Sequence, residues 1–74
     1  MDELQSFAAR LDRAMKLKGI SGGMLAIKSG MSDRMVRNYL KGKFRPSADS
    51  VKKLAGALGV SIDWLMGTEE DGDD

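Results

Sequence analysis

The tightest constraint in this sequence is a connection of three residues. Two stretches with apolar residues at helical spacing are separated only by Gly30-Met31-Ser32. Before it, Leu25 and Ala26 mark an inward face, and Ser21 stands where an N-cap is needed. After it, Ser32 is the next N-cap, and Asp33 lies in the first turn, where the helix macrodipole favours an acid. Met35, Val36, Tyr39 and Leu40 then form an apolar stripe. A turn this short, with glycine where the chain leaves one helix, forces the next helix to cross it steeply. The spacing predicts helices over about 22–29 and 33–41. Gly22-Gly23 opens the first of the pair, and each glycine costs about 1 kcal/mol in a helix interior, less in the first turn.

The remaining segments read the same way. Leu4, Phe7, Ala8, Leu11 and Met15 recur at helical spacing, with Asp2 and Glu3 at one end, Lys16 and Lys18 at the other and Gly19 as the stop. That predicts a helix over about 3–18. Lys43-Phe44-Arg45-Pro46 is a loop, since proline disfavours helical geometry at Arg45. Ser47 caps a fourth helix carrying Val51, Leu54, Ala55 and Leu58, closed by Gly59. Ser61 caps a short fifth, Ile62–Met66, ended by Gly67. The expected fold is all-α: five short helices with tight connections and no strand. A chain of 74 residues makes one domain with a modest core. The expected organisation is a folded unit at 1–67 and an acidic tail, or the start of a hinge, at 68–74.

Composition removes several function classes. The chain has no cysteine and no histidine, hence no disulfide, no thiolate metal site and no imidazole base. No pair of groups resembles an acid–base or nucleophile arrangement, so neither an enzyme nor a cofactor is expected. No apolar run approaches a membrane span, and MDELQSFAAR is not a signal peptide. The expected compartment is a reducing cytoplasm. The net charge of +1 hides a segregation. Residues 1–67 hold all 12 Lys and Arg against six acids, a net +6, and the other five acids lie in TEEDGDD. A basic unit with an acidic tail fits nucleic-acid binding, and equally a solvated surface with a frayed end.

The second helix of the close pair separates these readings. With its apolar stripe inward, Asp33, Arg34, Arg37, Asn38 and Lys41 face outward. Arginine bonds guanine bidentately and asparagine bonds adenine the same way. Lys41, Lys43 and Arg45 follow at the helix end, where phosphate contact is natural. Arg34, Arg37, Asn38 and Lys41 are therefore candidate base readers. Ser32 is first a cap, with a DNA contact as its second role. Asp33 serves the helix start or accepts from cytosine N4. Lys43 and Arg45 are candidate phosphate ligands, and Lys28 is expected to be plain surface. Phe44 is expected to plug the core, exposure beside DNA being its other placement. Trp64, Leu65 and the methionines are expected to be mostly core.

The stretch from Gly19 to Gly67 resembles the Cro and lambda-type repressor family. The resemblance is carried by GIS at 19–21, LA at 25–26, GMS at 30–32, Val36, Gly42, PS at 46–47 and ALGVSIDWLMG at 57–67. No one landmark is specific; the ordered set is. The resemblance implies a five-helix DNA-binding domain with a helix-turn-helix at about 22–41, which docks its third helix in the major groove. It implies a homodimer on a pseudo-palindromic duplex operator, with part of the Trp64–Leu65 region as the dimer contact. The implied function is sequence-specific transcription regulation, as a repressor of phage, prophage or bacterial origin. Alternatives on the same fold are an antitoxin-type or protein-interaction module with weak or no DNA binding. Family members often continue into an oligomerising C-terminal domain, which would make 68–74 a hinge within a longer chain.

Two positions depart from the family pattern. The second helix commonly opens with a phosphate-binding glutamine, and here Gly22 stands there. Ser21 and the backbone amides of Gly22 and Gly23 remain candidate phosphate ligands, because a helix N-terminus holds an anion without a glutamine side chain. The other reading, that these glycines are merely tolerated, stays open. The family also often pairs an arginine late in the first helix with a glutamate near the end of the third. Met15 and Leu40 occupy those positions. Replacing both charges together is inexpensive, whereas losing one alone is not. Met15 is therefore expected to pack on Leu40.

Overall fold

The structure, a computed structural model, describes residues 3–67. Asp2 and the acidic stretch 68–74 lie outside them. Five helices follow in order: α1 Glu3–Lys18, α2 Gly22–Ser29, α3 Asp33–Leu40, α4 Ala48–Leu58 and α5 Ile62–Met66. No strand occurs among the described residues. The boundaries agree with those read from the sequence except that α3 closes at Leu40. Lys41 is its cap, still donating its N–H to the Arg37 carbonyl, before Gly42 turns the chain at φ +71°.

Serine hydroxyls set four of the five starts. Ser21, Ser32, Ser47 and Ser61 have extended backbone, and each Oγ accepts from the amide three residues on, at 3.0–3.1 Å. Such a bond satisfies one otherwise orphaned N–H and stabilises by about 1 kcal/mol. Short helices like these rely on caps and packing, because helix nucleation is costly.

The core takes Phe7, Leu11 and Met15 from α1, Leu25 and Ala26 from α2, and Val36 and Tyr39 from α3. Ala14 of α1, Val51, Leu54, Ala55 and Leu58 of α4 and Leu65 of α5 complete it. Arg10 clamps α1 to α5: its Nη1 donates to the Trp64 carbonyl at 3.1 Å, and its guanidinium lies 5.3 Å from the centre of the Trp64 ring. Trp64 is therefore half-buried under a cation, while Leu65 is fully enclosed. Met15 is buried and Leu40 is half-buried against the same core. The tip of Met15 also reaches the start of α2, with Cε 4.0 Å from where a Cβ on Gly22 would stand.

Phe44 departs from expectation: it is 51% exposed and does not plug the core. Tyr39 and Leu40 supply the core contacts at this end of α3, and the chain then turns at Gly42, φ +71°, against Leu4 and Gln5 of α1. Among the described residues no helix is long and apolar enough to cross a membrane.

Candidate nucleic-acid interface

The α2–turn–α3 unit begins at the caps. Ser21 closes the front of α2, leaving Gly22 half-buried and Gly23 exposed in its first turn. At the rear, Gly30 takes a left-handed conformation, φ +72°, that an L-residue enters only at a cost of about 1–2 kcal/mol. Its N–H donates back to Ala26 and Ile27, and the Met31 N–H also reaches the Ala26 carbonyl, at 3.0 Å. The Ser29 hydroxyl bonds the same carbonyl at 3.3 Å. Ala26 is thus a hub of the turn, and its small side chain, 6% exposed, lets α3 come close.

Tyr39 fixes α3 from behind. Its ring meets Phe7 of α1 edge-on, with centroids 5.9 Å apart and planes at 88°. Its hydroxyl donates to Ser50 Oγ of α4 at 3.2 Å, and Ser47 Oγ donates to the same oxygen at 3.0 Å. The helix is therefore held by α1, by α2 and by one bond to α4. A buried aromatic pair adds about 0.5–1.5 kcal/mol beyond its area.

With Val36 and Tyr39 buried, the opposite face is presented to solvent. Arg34, Arg37 and Lys41 are exposed there and Asn38 is half-buried. Asp33 is exposed as well, and its Oδ2 lies 3.1 Å from Arg37 Nε, one turn along the helix. Ser32 is exposed, its Oγ accepting from Met35, so its hydroxyl proton can still donate outward. Past the helix, the Lys43 N–H bonds the Asn38 carbonyl at 3.1 Å, which ties the cationic loop to the end of α3. Lys43 and Arg45 are exposed with Phe44 between them. Lys28 is exposed near the end of α2. The structure thus places the candidate base readers on one exposed face of α3, with the Lys43–Arg45 loop following directly.

One feature went unread in the sequence, the Asp33–Arg37 pair, whose signal was the i, i+4 spacing of opposite charges. Phe44 takes the second of the two placements weighed for it, exposed between Lys43 and Arg45.

Comparison with known proteins agrees with this geometry. A family model described as helix-turn-helix matches residues 11–65. The chain is similar to the HTH-type transcriptional regulator PrtR of Pseudomonas aeruginosa, at 41% identity over an alignment 64 residues long that covers 82% of this chain. The alignment covers 23% of PrtR, so the chain spans less than a quarter of that relative's length. The fold is similar to that of the restriction-modification controller protein C.AhdI of Aeromonas hydrophila, with a TM-score of 0.81 and 32% identity. That likeness covers 84% of this chain and 94% of the controller. The chain belongs to the Cro and lambda-type repressor family of helix-turn-helix DNA-binding domains.

Proposed function

We propose that this chain binds duplex DNA sequence-specifically and regulates transcription as a repressor, by occupying promoter DNA in the cytoplasm of a bacterium. One observation carries the reading. The outer face of α3 is polar, cationic and exposed, while its inner face is locked by Val36 and Tyr39. In this reading α3 lies in the major groove, and Arg34, Arg37, Asn38 and Lys41 reach base edges. Lys43 and Arg45 hold phosphates, joined by the Ser21 hydroxyl and the amides of Gly22 and Gly23 at the start of α2. The binding unit is residues 1–67.

The protein acts as a homodimer on a pseudo-palindrome. Supporting this, Pro46, Ala48, Val51, Lys52, Ile62 and Met66 line an open groove of about 370 Å³ between α4 and α5. Ile62 and Met66, 43% and 42% exposed, give it an apolar rim. Apolar surface gathered in this way is what a second copy would bury.

Selection of bound sites from random duplex DNA tests the reading. A palindromic consensus with half-sites about one helical turn apart is expected. Arg37→Ala should cost about 1–3 kcal/mol and relax preference at one base pair per half-site. Recovery of no consensus, together with an affinity indifferent to salt, would sink it.

The second reading is an antitoxin-type or protein-interaction module. It is favoured by Gly22, which offers no side chain to DNA, and by Ile27, which is 78% exposed on α2. That module would leave the selection without a consensus.

A further inference from the structure

Asp33 is an anomaly on the face just described. A carboxylate among Arg34, Arg37 and Lys41 repels the phosphates that those cations attract, so it weakens attachment to any duplex. The helix macrodipole at the start of α3 offsets part of that cost, and a role in selectivity would offset the rest.

The contact geometry supplies such a role. Asp33 Oδ2 engages Arg37 at Nε, 3.1 Å away, with the two side chains 53% and 65% exposed. An arginine has two forks: one combines Nε with an Nη, the other is the terminal Nη1/Nη2 edge. Occupying Nε leaves the terminal edge as the complete fork. That fork matches the O6 and N7 acceptors of guanine in the major groove. Asp33 opens α3 directly after the Ser32 cap, where the macrodipole favours a negative charge and its backbone is held in the helix. Two other helical pairs, Asp12–Lys16 at 2.9 Å and Asp49–Lys53 at 3.2 Å, share the spacing but involve lysine, a point charge with no fork to aim.

Building on the assignment of α3 as the reading helix, we propose that Asp33 is a positioning residue. It holds Arg37 by Nε and turns its terminal edge toward one guanine of the half-site. Its contribution is selectivity, a difference between right and wrong sequences, at the expense of general affinity.

The test uses the full chain and the site recovered from random duplex DNA, with each base pair of one half-site changed in turn. Wild type, Asp33→Asn, Arg37→Ala, Arg37→Lys and the double variants Asp33→Asn/Arg37→Ala and Asp33→Asn/Arg37→Lys are compared at fixed salt. Arg37→Ala identifies the base pair concerned. Asp33→Asn is expected to lower the preference for guanine there by about tenfold, within the range one bidentate contact supplies. It should also raise affinity for unrelated duplex. The double variant Asp33→Asn/Arg37→Ala should lose no more preference than Arg37→Ala alone. Arg37→Lys, which keeps the charge without the fork that Asp33 aims, should weaken the preference and make it insensitive to Asp33→Asn. Thermal unfolding of Asp33→Asn controls for the helix start, since a loss of stability lowers affinity for all sequences and leaves base preference unmoved.

The proposal is overturned if Asp33→Asn keeps the full preference at that pair. It is equally overturned if the variant relaxes preference at a neighbouring cytosine, which would make Asp33 a reader in its own right. If Arg37→Ala alters no base preference, the assignment of α3 as the reading helix fails first and this proposal falls with it.

Discussion

Tyr39→Phe separates two tasks that this side chain combines. The ring packs edge-on against Phe7 and survives the change; the hydroxyl that donates to Ser50 is lost. Urea unfolding should register a loss of about 0.5–1.5 kcal/mol, the net worth of one hydrogen bond. DNA affinity should change little, because the ring still fixes α3 from behind. Phe44 should behave in the opposite way. At 51% exposure its replacement by Ser should leave stability within about 0.5 kcal/mol. A fall in DNA affinity with stability intact would place the ring at the interface, and a loss above about 2 kcal/mol would place it in the core. The contrast also marks what is legible in sequence. Tyr39 lies on a helical stripe, so periodicity assigns its face. Phe44 lies on a loop, where burial depends on whether neighbouring elements have left room. Tyr39 and Leu40 already supply the core contacts at this end of α3.

Helix boundaries were legible because serine and glycine mark them chemically. The serine caps and the left-handed glycines at 30, 59 and 67 stand where the residue types demand. The end of α3 was less legible by one residue, since Lys41 is half inside the helix and only its dihedral angles decide. Two glycine substitutions should move stability in opposite directions. Gly56 is exposed in the middle of α4, and a Cβ there would meet nothing within 4 Å. Gly56→Ala should therefore stabilise by about 0.5–1 kcal/mol. Differential scanning calorimetry should find Tm raised at about 4–8 °C per kcal/mol. Gly30→Ala faces just as much open space but must keep φ near +72°, so it should destabilise by about 1 kcal/mol or more. The Asp33–Arg37 contact belongs to this scale too. Its spacing was visible in the sequence, but that Nε rather than the terminal edge is engaged depends on rotamers that spacing does not specify.

Across the whole molecule, cations and exposed apolar residues meet at the loop after α3. Phe44 lies between Lys43 and Arg45, and Pro46, next to Arg45, lines the α4–α5 groove that carries Ile62 and Met66. Lys43→Ala and Arg45→Ala should each weaken all duplexes alike and lessen the log–log salt slope by about 1. Equilibrium titrations at several salt concentrations measure this, and an unchanged slope would remove that residue from the phosphate contacts. Ile62→Lys should turn a dimer into a monomer in sedimentation equilibrium while the fold is kept, because the side chain already projects to solvent. A dimer that survives the change has its contact elsewhere. The clamp of Arg10 on Trp64 has an optical consequence. Trp64 is the sole tryptophan and Tyr39 the sole tyrosine, one at the α1–α5 junction and the other where α1, α3 and α4 meet. A cation above an indole perturbs its fluorescence, so the emission of Trp64 reports the loss of that junction, while tyrosine absorbance reports the seat of α3. Coincident midpoints from the two chromophores would mean that both ends melt as one cooperative unit. An earlier tyrosine midpoint would mean that α3 loosens before the rest of the domain opens.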